Sequence, residues 1–183
     1  MGEKLVIVII HGMISLFGND PLPNLQRAFQ ERYPRAVIVL EKRDYWFWHF
    51  AFMRDYAGEI AEKYKGRRVM LVGHSLGGTI GLSAAQKMDN VHGVITIFSP
   101  YNAYCGIFRK KVIGPGPYKV LPTISFSASR DIYFKFAPRG TRHPHAIHHV
   151  EHETDHIFEL TTSVALADNI AGYVQLFLPE PDR

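Results

Sequence analysis

The stretch GHSLGG at residues 73–78 decides the fold of this chain. It follows the aliphatic run 68–72, which is typical of a buried strand, and it precedes residues 79–88, which are typical of a helix. When the pattern Gly-x-Ser-x-Gly stands between a strand and a helix, it forms a turn so sharp that the serine backbone is strained. Glycines two residues to either side of Ser75 remove the Cβ atoms that would collide there. We therefore expect the Ser75 hydroxyl to stand clear of the sheet.

The same turn indicates a nucleophile. The helix that follows Ser75 places its first backbone amides, and the positive end of its dipole, where negative charge would form on a substrate. The alternative is a glycine-rich turn that carries an inert serine, and the strand and helix on either side favour the nucleophile.

The size and composition of the chain are those of one globular domain spanning residues 1–183. The 20.8 kDa chain is 46% hydrophobic and 21% charged, with a net charge of +4. Residues 109–111 are the densest run of Lys and Arg, and no other basic block stands out. We therefore predict no nucleic-acid partner. Cys105 is the only cysteine, which excludes an intramolecular disulfide.

The apolar run near the N-terminus is too short for a membrane span. His11 and Gly12 interrupt it long before the ~20 residues that a spanning helix needs. It also lacks the small-residue cleavage site of a leader peptide. We therefore expect no transmembrane segment and a cytoplasmic protein, with a secreted mature form whose leader has been removed as the alternative.

Strands and helices alternate along the chain, which predicts an α/β fold. The expected architecture is a mostly parallel sheet of about six strands with helices on both faces. The predicted strands are 4–10, 36–40, 68–72, 93–98, 123–127 and 146–152, and the predicted helices are 20–33, 79–88, 163–177 and one ending near 64. Residues 100–122 are irregular and too few for a cap domain, so we expect an open site.

The histidine-glycine step after the first predicted strand is a second candidate for binding an oxyanion. Gly12 would let the chain bend towards Ser75, and the backbone N–H of Met13 would then point at a substrate carbonyl oxygen. The alternative is a plain turn that ends the strand.

Asp131 and His156 are the candidate partners of Ser75. A serine hydroxyl needs a base to take its proton, a histidine has a suitable pKa, and a carboxylate fixes the histidine tautomer. Asp131 follows the fifth predicted strand and His156 follows the sixth, and Ser, Asp, His is the expected chain order. Asp155 is a weaker orienting group because neighbouring side chains diverge, and His152 lies within a predicted strand.

The aromatic stretch 44–52 has two interpretations. Its rings either pack beneath the following helix or line a groove for an acyl chain, with Trp46 and Trp48 as the substrate-binding candidates. Too many aromatic residues are consecutive for all of them to face inward on one helical stripe. A transient contact with a lipid surface is a third alternative.

A histidine cluster near the C-terminus raises the possibility of a metal site. Its members are His143, His145, His148, His149, His152 and His156. Along a strand, alternate side chains point to opposite faces, so these ligands cannot converge on one ion. We predict no metal and no cofactor.

These motifs together resemble the α/β-hydrolase superfamily, and the chain is similar to small lidless bacterial lipases and esterases. The resemblance covers roughly residues 4–177 and implies carboxylic ester hydrolysis through an acyl-enzyme. It implies Ser75 as nucleophile, His156 as base and Asp131 as the orienting carboxylate. The amides of Met13 and Leu76 would form the oxyanion hole.

The expected activity is therefore that of a serine esterase or lipase acting on a small acyl ester or a lipid. Thioester, amide and acyl-transfer chemistry use the same triad and stay open. A non-catalytic binding module on the same fold is the alternative from another class. A dehalogenase is disfavoured because serine stands where an aspartate nucleophile is expected. The oligomeric state is not predicted.

Overall fold

The computed structural model describes residues 4–12, 22–43, 50–99, 121–130, 148–153, 155 and 164–178. The strands are β1 (Val6–Ile10), β2 (Val37–Glu41), β3 (Val69–His74), β4 (Val91–Ile97), β5 (Thr123–Ala128) and β6 (His148–His152). The helices are α1 (Leu22–Arg32), α2 (Phe50–Lys63), α3 (Leu76–Ala85) and α4 (Val164–Gly172), and α4 continues into the 3-10 turn η1 (Tyr173–Leu176).

The strands form one parallel sheet in the order β2-β1-β3-β4-β5-β6. The prediction of a mostly parallel sheet of about six strands is confirmed. β3 lies between β1 and β4, with Gly73 opposite both Ile10 and Thr96. Because all strands run the same way, the segments that follow β1, β3, β4, β5 and β6 meet at one edge of the sheet.

The core has two halves, one on each face of the sheet. In β1, Ile7 and Ile9 pack with α1 and α4, whereas Val6, Val8 and Ile10 pack with α2 and α3. All five residues of β1 are buried, as expected for a strand covered on both sides. The prediction of helices on both faces is confirmed.

Helix α3 begins three residues earlier than predicted. The sequence predicted residues 79–88, and α3 also ends three residues before the predicted end, at Ala85. In the structure Gly77 and Gly78 belong to the first helical turn, directly after Ser75. All ten residues of α3 are buried, since the helix lies between the sheet and α2.

Several predictions fall outside the described residues. They include the expected open insertion at 100–120 and the aromatic residues 44–49.

The predicted helix 163–177 is wrong in its last turn, which is η1 instead of α-helix. Within the described ranges, no helix has the length and the apolar character that crossing a membrane requires.

The buried hydroxyl of Tyr33 makes the stability of the fold depend on pH in the alkaline range. Its buried hydroxyl donates to the carbonyl of Ala171 (2.9 Å) and so joins the end of α1 to α4. Burial raises the pKa of Tyr33 from 10.0 to about 12, against the lowering effect of the Arg32 charge. Between these two values the unfolded phenol has lost its proton and the folded one has not. Folding stability is therefore expected to fall as the pH rises above 10.

Thermal unfolding followed from neutral to strongly alkaline pH measures this loss. Tyr33→Phe keeps the ring but has no proton to lose, so its melting temperature should fall less steeply with pH. Burial also raises the pKa of Tyr56 and of Tyr64, so part of the slope should persist. Equal slopes in Tyr33→Phe and the wild type would show that Tyr33 does not contribute.

Candidate active site

Ser75 lies between β3 and α3 with a backbone conformation that L-residues rarely adopt. Its φ is 54° and its ψ is −128°. Such a conformation costs about 1–3 kcal/mol and persists only where the surroundings hold it. Its N–H donates to the carbonyl of Ile97 (2.8 Å), and its carbonyl accepts from the N–H of Gly78 (3.1 Å). Ser75 is therefore strained and is fixed by backbone bonds on both sides.

The glycines around Ser75 are required by close contacts. A Cβ atom on Gly73 would lie 2.3 Å from the carbonyl oxygen of Gly77, and one on Gly77 would lie 2.2 Å from that of Ile10. Neither distance is compatible with a side chain. The prediction that these glycines remove colliding Cβ atoms is confirmed.

The end of β1 passes directly beside Ser75. A Cβ atom on Gly12 would lie 2.6 Å from the Cβ of Ser75 and 3.2 Å from its Oγ. His11 is buried, and its Nε2 accepts a hydrogen bond from the backbone N–H of Arg43. The N–H of His11 donates to the carbonyl of Glu41 (3.3 Å). These two bonds tie the segment before Met13 to the end of β2.

His11 therefore forms a hydrogen bond to a distant part of the chain. Its Nε2 accepts a hydrogen bond from a backbone N–H. Its partner, the backbone of Arg43, lies in another part of the chain. No side-chain pattern marks a backbone donor, so the sequence offers no signal for this bond.

The segments after β5 and β6 are held together at the same edge. Ala128 pairs with His152 at the ends of these strands. Beyond them, Nη2 of Arg130 donates to the carbonyl of Glu153 (3.0 Å). The bond joins the residue before Asp131 to a residue three positions before His156.

Five of the predicted site residues lie outside the described residues: Met13, Trp46, Trp48, Asp131 and His156. The structure brings Ser75 and Leu76 together with Gly12 and places them at the carboxyl edge of the sheet. The amide of Leu76 belongs to the first turn of α3, where N–H groups have no partner within the helix. No acidic residue lies in that turn, so nothing there offsets the positive end of the helix dipole.

Comparison with solved structures identifies the fold. A serine hydrolase without a lid from Xanthomonas campestris matches with a TM-score of 0.65 at 16% identity, over 98% of this chain and 84% of that one. An esterase domain from Rhodothermus marinus matches with a TM-score of 0.61 at 18% identity, over 95% and 87%. The RedJ thioesterase of the prodiginine pathway in Streptomyces coelicolor matches with a TM-score of 0.64 at 13% identity, over 96% and 90%.

The chain has the α/β-hydrolase fold. Within this fold, Ser75 lies in the turn between β3 and α3. No protein-family model and no curated protein matches the sequence.

The described part of this α/β-hydrolase fold contains no group of three His, Cys, Asp or Glu residues that could hold a metal ion. His143, His145 and His156 lie outside it, and His148 is exposed on β6, the last strand of the sheet. The expectation that the protein needs no metal and no cofactor stays a prediction.

Proposed function

We propose that the protein is a serine hydrolase that cleaves carboxylic esters through an acyl-enzyme. The observation that carries this proposal is the strained backbone of Ser75, with Gly12 beside its Oγ. A strain of this kind is a cost to folding, and it is typical of residues whose conformation serves a reaction. Hydrolases, an esterase domain and thioesterases share this fold at low identity, which is consistent with hydrolytic chemistry.

In the proposed reaction the Oγ of Ser75 attacks the ester carbonyl carbon while His156 takes the hydroxyl proton. The carbonyl oxygen becomes an oxyanion, which the amides of Leu76 and Met13 stabilise. The intermediate collapses, His156 protonates the leaving alkoxide, and an acyl-Ser75 ester remains. Water, deprotonated by His156, then attacks the acyl carbon. This second intermediate collapses, its bond to Oγ breaks, and His156 returns the proton to Oγ, which releases the acid and the free serine. Asp131 keeps the imidazole in the required tautomer and stabilises its charged form.

The proposed substrate is a small acyl ester whose apolar acyl group contacts Trp46 and Trp48. A thioester is the second candidate, because a thioesterase shares the fold over nearly the whole chain. Hydrolysis of butyryl esters and butyryl thioesters of equal chain length by the same preparation separates the two. A higher kcat/KM for the thioester would replace the ester proposal.

The pH dependence of ester hydrolysis tests the proposed base. A histidine must be neutral to accept the serine proton, so kcat/KM for p-nitrophenyl butyrate should rise with an apparent pKa of about 6.5 and level off at alkaline pH. The measurement is the initial rate between about pH 5 and about pH 9, corrected for spontaneous hydrolysis. A profile that stays flat through this range would contradict a histidine base, and the absence of turnover would contradict the proposed activity.

A further inference from the structure

The end of β4 supports the turn that carries Ser75. Ser99 follows β4 and is buried, and its Oγ lies 3.1 Å from the carbonyl oxygen of Ile97 and 3.4 Å from that of Gly73. A hydroxyl has one proton to donate, so these two carbonyls share it. One of them belongs to β4 and the other to the strand that ends at the turn. Ser99 therefore connects the neighbouring strand to the start of the turn.

The same hydroxyl also meets the other end of the turn. A Cβ atom on Gly78 would lie 1.9 Å from the Oγ of Ser99, whereas the nearest atom of β3, the carbonyl oxygen of Gly73, would be 3.0 Å away. The absent side chain of Gly78 thus makes room chiefly for Ser99. The carbonyl of Ile97, which Ser99 contacts, accepts the N–H of Ser75 as well. Gly73, Ser75 and Gly78 are all linked to this one short segment.

The position of Ser99 is itself fixed by the residue before it. Phe98 has a φ of 50°, and its N–H donates to the carbonyl of Phe126 (2.9 Å). Its buried ring meets the ring of His74 edge-on, with 6.1 Å between the centroids. The sharp bend at Phe98 follows β4 immediately and precedes Ser99. The strained residues Ser75 and Phe98 therefore follow neighbouring strands, and the residues beside them are in contact.

We propose that Ser99 is a positioning residue, which holds the Ser75 turn in the strained conformation that aims its Oγ. The inference rests on the proposed function. A strained backbone relaxes when the groups that hold it are removed. Without the Ser99 hydroxyl, Gly73 loses a donor and the space next to Gly78 opens, so the turn can relax and the Oγ of Ser75 moves. A displacement of about 1 Å at a reacting atom can cost about a hundredfold in rate.

The test compares Ser99→Ala with Ser125→Ala. Ser125 is fully buried in β5, so its variant reports what the loss of a buried hydroxyl does to stability alone. The measurements are kcat and KM for p-nitrophenyl butyrate, the rate of Ser75 labelling by a fluorophosphonate, and the melting temperature. Ser99→Ala is expected to lower kcat and the labelling rate by about tenfold with KM nearly unchanged. Ser125→Ala is expected to lower the melting temperature only.

Ser99→Thr keeps the hydroxyl and is expected to recover most of the labelling rate. A labelling rate in folded Ser99→Ala equal to that of the wild type would overturn the positioning role and leave the proposed function standing. So would equal losses in Ser99→Ala and Ser125→Ala, since these would report stability alone. If the wild type neither labels nor turns over, the proposed function fails and the role of Ser99 fails with it.

Discussion

Ser75→Ala is expected to lower kcat for p-nitrophenyl butyrate by about 10⁴- to 10⁶-fold. The reason is that no Oγ remains to form the acyl-enzyme, so only the binding and oxyanion contributions survive. The melting temperature should change little, because alanine meets the same backbone strain at φ 54° as serine does. The measurement is the steady-state rate of the purified variant beside that of the wild type.

Ser83→Ala is the matched control for this experiment. Ser83 is a buried serine on α3, and it lies two turns beyond Ser75, which directly precedes this helix. Its variant should keep kcat within about threefold of the wild type. Equal rates for Ser75→Ala and the wild type would contradict the account, because the hydrolysis would then come from another group.

Ser75→Gly separates the strain from the chemistry. Glycine adopts positive φ without a steric penalty, so the variant should be as inactive as Ser75→Ala and should unfold at a higher temperature. The expected gain in the free energy of unfolding is about 1 kcal/mol. A lower melting temperature in Ser75→Gly would show that the turn stores no strain at this residue.

Gly77→Ala is expected to have the second large effect, on folding and on activity together. Its Cβ would lie 2.2 Å from the carbonyl oxygen of Ile10 and 2.6 Å from that of His11. These are backbone atoms, so no side-chain rotation relieves the overlap, and either α3 or the end of β1 must move. We expect a loss of about 3–5 kcal/mol in the free energy of unfolding and at least a hundredfold loss in kcat.

Gly81→Ala provides the control, since Gly81 lies one turn further along α3. Its Cβ would lie 3.4 Å from Cδ1 of Ile10, which is an ordinary contact with the end of a flexible side chain. Alanine also favours a helix by about 1 kcal/mol over glycine. Chemical denaturation should therefore show little or no loss of stability for this variant. Gly77→Ala and Gly81→Ala of equal stability would contradict the close approach of β1 to the turn.

The fold could be predicted because its central elements have local signals. The β-branched runs of β1 and β3 and the glycines at 73 and 77 each indicate one structure, and the structure agrees with them. The predicted start of α3 was wrong. Glycine generally disfavours helices, but here the close approach of two backbones requires a glycine. Local preference gave way to packing that only the folded chain reveals.

The contacts that hold the candidate site could not be predicted in the same way. The hydroxyl of Ser99 contacts the carbonyl of Gly73 and fills the space that a side chain on Gly78 would occupy. His11 forms a hydrogen bond to the backbone of Arg43. Backbone partners leave no trace in residue types, so nothing in the sequence distinguishes Ser99 from other buried serines. The roles of Asp131, His156, Met13, Trp46 and Trp48 stay predictions.

Labelling by a fluorophosphonate tests the central claim most directly, because the reagent reacts selectively with an activated serine. Intact mass spectrometry of the full chain, followed by peptide mapping, reports both the number of adducts and their position. The account predicts a single adduct on Ser75 in the wild type and none in Ser75→Ala. An unlabelled wild type, or an adduct on any other residue, would contradict it.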